Sequence, residues 1–97
     1  MKLIDIAQTL DTLHEGQFIC AKRPWTDQAD CELVPIDDTF KVPANVTERG
    51  FEYFLEVAVA REICEVFGQI PASSQEIAKL LLFYAENDAF PQWVYER

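Results

Sequence analysis

Ninety-seven residues make one domain, long enough to bury about 60–70% of the unfolded chain's surface without help from a metal or disulfides. With 49% apolar and 12% aromatic residues the chain is neither disordered nor low in complexity, and no internal repeat is visible. A net charge of −9, from 17 acids against 8 bases, argues against direct nucleic-acid binding and against an anionic membrane surface, and suits steering toward a basic partner.

Residues 2–14 carry Leu3, Ile6, Ala7, Leu10 and Leu13 at helical spacing with Asp5, Gln8, Asp11 and Thr12 opposite, which predicts an amphipathic helix stopped at Gly16. Asp5 interrupts the opening apolar run, so no core of an export signal forms and a cytoplasmic protein is expected. The longest apolar run, Leu80 to Ala85, is far too short to cross a bilayer. Residues 17–23 and 31–37 read as two strands that can pair as a hairpin around the loop 24–30, with Pro35 at a sheet edge. In that pairing Cys20 and Cys31 are expected near each other. Three cysteines leave one unpaired in any scheme, and spacings of 6, 11 and 33 among His14, Cys20, Cys31 and Cys64 match no zinc signature, so three free thiols and no metal or other cofactor are expected.

Residues 37–50 form a polar connector, long enough to hold a functional loop or a short element of its own. In 51–57, Phe51, Tyr53, Leu55 and Val57 alternate with Glu52, Phe54 and Glu56, which predicts a third strand, followed by a helix over about 59–67 that Gly68 closes. From 71 to 90 the pattern is helical: Ser73 and Glu76 have the spacing of a capping box, and Ile77, Leu80, Leu81 and Tyr84 form an apolar stripe that Leu82 and Phe83 broaden. Trp93 and Tyr95 are costly to leave in water, so the tail 91–97 is expected to dock on the body or to add an edge strand. The fold class is therefore α+β in the order α-β-β-β-α-α, a three-stranded, mainly antiparallel sheet covered on one face by helices.

Gly50, Phe51, Tyr53 and Leu55, with Tyr84, Asn87, Asp88, Ala89 and Phe90, resemble an uncharacterised family of small bacterial proteins. In that family a Gly-Phe-x-Tyr strand leads through a short helix and a Pro-containing turn to a second helix ending Tyr-x-x-Asn-Asp-Ala-Phe. The likeness covers residues 50–90 and implies a fold, not an activity; it also implies a bacterial source and carriage in mobile elements or beside toxin genes.

Among candidate functional residues, Asp88 leads. Asn87 can take the left-handed conformation that closes a helix and Asp88 can form an Asx-turn, which needs no chemistry. Yet Glu86 and Asp88 are poor guests at the negative end of a helix dipole, and a site that tolerates them can be retaining an acid for binding. Arg23 and Trp25 belong to the one basic-aromatic cluster, Lys22 to Trp25, which can clasp an anion or stack a planar ligand, or can be a strand end with an indole lid over the core. The binding residues are thus Asp88, Glu86, Asn87, Trp25 and Arg23. Carboxylate pairs such as Asp37–Asp38 and a Cys–His pair through His14 keep an enzyme open as an alternative, but no phosphate loop, nucleophile elbow or calcium loop is present. His14, at the predicted helix end, is expected to act as a partial cation there. The expected function is non-catalytic binding of a basic protein, with an immunity- or antitoxin-like role as one concrete version; the first alternative is a self-associating accessory protein of a mobile element, its apolar surface spent on a homodimer.

Overall fold

A computed structural model describes all residues from Met1 to Arg97. It has the α+β architecture that the patterning predicts. Strands β1 (Gln17–Lys22), β2 (Cys31–Pro35) and β3 (Phe51–Glu56) form one antiparallel sheet in the order β2-β1-β3. Helices α1 (Leu3–Thr9), α3 (Val57–Cys64) and α4 (Ser74–Asn87) cover one face. The main core of 15 buried residues lies beneath them, with Leu3, Ile6, Ile19, Phe54, Leu80 and Leu81 at its centre. No helix is long and apolar enough to cross a membrane.

The connector does contain an element, the one-turn helix α2 (Ala44–Thr47). Val46 on it packs with Phe18, Cys20 and Val34 on the opposite face of the sheet, making a second, four-residue core. Both faces of β1 are therefore buried, which is why Phe18 to Ala21 read as a continuous apolar run instead of alternating.

Several expectations are corrected. The first helix ends at Thr9 and tightens into a 3-10 turn over Leu10–Thr12. The register pairs Ala21 with Cys31 and Cys20 with Glu32, so the two cysteines point to opposite faces of the sheet: Cys31 joins the main core, Cys20 the small one. They cannot bridge, and all three thiols are free, each pushed up to about 11 by burial. Strict alternation along β3 fails as well. Ile19 pairs with Leu55 but Cys20 pairs with Tyr53, so Phe54 is an unpaired bulge residue. The bulge turns two consecutive large side chains, Phe54 and Leu55, into the main core while Tyr53 stays on the outer face against Phe18, 5.7 Å between ring centroids. Val57 starts α3 and does not extend the strand.

The ends of the helices are set by specific partners. The loop after β1 caps α1, with the carbonyls of Ala29 and Asp27 accepting from the N–H groups of Leu3 and Ile4 at 3.0 and 2.9 Å. At the other end of this helical segment the cation is Arg61 of α3 and not His14. Its guanidinium donates to the carbonyls of Leu10 (3.0 Å) and Leu13 and pairs with Glu15 at 3.0 Å. His14 Nδ1 instead accepts the Gly16 N–H at 3.0 Å. The Ser73–Glu76 capping box forms as predicted, at 3.1 and 3.0 Å. The tail docks as a 3-10 turn over Gln92–Tyr95 and adds no strand: Val94 is buried, whereas Tyr95 remains 69% exposed.

Candidate functional site

The largest concavity is an open groove of about 870 Å³ between α4, the loop after β1 and the tail. Its volume falls within the range of small-ligand sites, ~300–1,000 Å³. One wall is a whole face of α4: Gln75, Lys79, Leu82, Phe83, Glu86 and Asn87 recur at helical spacing, beside the face that Ala78, Leu80 and Leu81 turn to the core. The opposite walls are Trp25, Thr26 and Asp27 from the loop and Pro91, Gln92 and Trp93 from the tail. The chain has two tryptophans, and both line this groove.

Each indole is held in place. The Trp25 N–H donates to the Ala21 carbonyl at 3.2 Å, and its ring meets the edge of the buried Phe54 with centroids 5.0 Å apart. Trp93 leans on Phe67 at 6.1 Å, and the Lys79 ammonium lies 4.7 Å from its centroid. The tail carrying Trp93 is tied down by Arg97, whose side chain is 13% exposed, pairs with Glu76 at 3.1 Å and donates to the Pro71 carbonyl at 3.0 Å. The indole walls therefore stand preformed on packed supports.

Four of the five residues singled out in the sequence meet here. Trp25, Glu86 and Asn87 line the groove. Arg23 joins them at one end, with its guanidinium carbon 3.5 Å from the Trp25 ring centroid and its Nη1 2.7 Å from Glu86 Oε1. Asp88 lies outside the lining and closes the helix. Asp88, and not Asn87, is the left-handed residue (φ 52°, ψ 37°), its N–H donates to the Tyr84 carbonyl at 2.8 Å, and Phe90 folds back onto Tyr84 with centroids 5.3 Å apart. Asn87 remains helical and donates its side-chain amide to the Phe83 carbonyl at 2.9 Å. The sequence reading missed Trp93, Lys79, Gln75 and Gln92. The broadening of the α4 stripe by Leu82 and Phe83 was the available signal, because a helix needs only one apolar face for its core.

No charged residue is buried, and no three His, Cys, Asp or Glu side chains are grouped as metal ligands would be. Six of the 17 acids are in ion pairs, leaving eleven carboxylates unpaired on the exterior. The displaced carboxyl pKa values all move down: Asp30 through its hydrogen bond to Lys2, Asp37 through Thr39, and Glu76 through the Ser73 N–H. No protein family, curated protein or solved structure matches this chain.

Proposed function

We propose that this protein is a non-catalytic binding protein that takes an extended, basic segment of a protein partner along the groove between Trp25 and Trp93. What carries this reading is the second face of α4. Six of its residues over three turns line the groove between two anchored indoles, Leu82 also touching the core, in a chain with a net charge of −9. Gln75 to Asn87 spans ~18 Å along the helix axis, the reach of about five to six extended residues, so a peptide fills the groove better than a compact ligand does. Leu82, Phe83 and the indoles supply apolar anchoring, Gln75, Gln92 and Asn87 supply amide groups for a peptide backbone, and the unpaired acids steer encounter. Three free thiols suit a reducing cytoplasm. An immunity- or antitoxin-like role in a bacterium, against a basic target, is one concrete version.

Because both tryptophans line the groove, intrinsic fluorescence reports its occupancy directly. An amidated peptide of alternating lysine and leucine is expected to change the emission and to lose affinity as salt rises, whereas a glutamate–leucine peptide leaves it unchanged. An emission indifferent to the basic peptide at low salt overturns the reading.

Self-association is the second reading. It is favoured by Phe40, which is 65% exposed at a left-handed φ of 56°, and by Tyr53, which is 47% exposed; both rings flank Phe18 on the outer face of the sheet. Strain at a bulky residue without burial suits a surface that another copy covers. Sedimentation that finds only monomer at high protein concentration removes it.

A further inference from the structure

We propose that the face of Trp25, together with Glu86 and Glu52, is an arginine-binding subsite at the end of the groove, held in this structure by the chain's own Arg23 and taken over by an arginine of the basic partner. This assignment rests on the groove being the partner's binding site. Arg23 stacks on the indole at 3.5 Å, its Nη1 lies 2.7 Å from Glu86 Oε1 and its Nε 3.4 Å from Glu52 Oε2. A flat aromatic face with carboxylates at the rim is what a planar guanidinium fits, and it suits an ammonium less well. The receptor half stands without Arg23. The indole is fixed by Ala21 and Phe54, Glu52 belongs to β3, and Glu86 belongs to α4. The occupant, by contrast, is weakly held: Arg23 is 49% exposed and its two acids are 54% and 48% exposed, so the pairs are screened and exchange readily. Glu86 also lines the groove, so a segment lying along α4 can bring its own arginine to the same carboxylate.

Arg23→Gln empties the subsite, and Lys41→Gln, away from the groove, makes the same change in net charge. Both are compared with wild type by tryptophan fluorescence, using amidated peptides of alternating leucine with arginine, lysine or citrulline. Arg23→Gln is expected to bind the arginine peptide roughly three- to tenfold more tightly than wild type. The gain is expected to be smaller with lysine, absent with citrulline, and absent for Lys41→Gln with any peptide. Equal gains in the two variants, a gain with citrulline, or weaker binding by Arg23→Gln overturns the subsite while wild-type binding of basic peptides keeps the groove reading in place. If no basic peptide binds wild type or either variant, the groove reading fails and the subsite with it.

Discussion

Arg61 joins parts of the chain that lie some fifty positions apart. From α3 it reaches the carbonyls of Leu10 and Leu13 and the Glu15 carboxylate, and its side chain is 25% exposed. Arg61→Met keeps the aliphatic volume but leaves the Leu13 carbonyl without its donor, while the Leu10 carbonyl keeps the Leu13 N–H, at a cost of roughly 1–3 kcal/mol, visible as a drop of about 4–8 °C in Tm for each kcal/mol. Arg61→Lys is expected to recover only part of that, because one ammonium cannot reach three acceptors as the guanidinium fork does. Full stability in Arg61→Met, measured by thermal melting, removes this role. Arg61 was not visible in the sequence, because nothing local marks a side chain whose partners lie some fifty positions away. Cys20 and Cys31 show the converse. Their approximate nearness follows from the hairpin, but a register differing by one residue decides which face each thiol takes.

Among the elements, α4 was the most legible, since its capping box and apolar stripe are local and redundant signals. Its N-terminus also carries a pH dependence. The Ser73 N–H, with Arg97 adding, holds the Glu76 carboxyl below its ordinary value of 4.5. A depressed carboxyl pKa stabilises the fold above that ordinary value, and the stabilisation is lost as pH falls through the folded-state pKa. Thermal melting from about pH 6 to about pH 3 is expected to show a steeper acid loss in wild type than in Glu76→Gln, which lacks the titrating group; parallel curves refute it. β3 was less legible. Its aromatic content marks a strand, but the Phe54 bulge depends on how the pairing with β1 closes, and alternation alone misassigns the face of Phe54.

Over the whole molecule, charge outweighs any single contact. The dimensions are 41 × 26 × 22 Å. At about 10 mM salt the screening length of ~30 Å reaches across most of that, while at about 150 mM it shrinks to ~8 Å. Repulsion among the eleven unpaired carboxylates is therefore felt across the protein only at low salt, whereas its six ion pairs are mostly exposed and contribute little. Tm is expected to rise over that salt range; a fall means that the pairs outweigh the repulsion. The groove belongs to this scale too. It was only partly legible because Trp93 comes to line the same groove as Trp25 through the docking of the tail, which no local pattern encodes.

The sheet's two coverings are unequal: fifteen buried residues under three helices on one side, four under a single turn on the other. Opening of the thinner side does not require the thicker side to melt. Amide protons of Val46 to Gly50 are accordingly expected to exchange with deuterium well before those of Leu80 and Leu81, giving a protein that breathes through its back while the wall carrying its indoles keeps its shape.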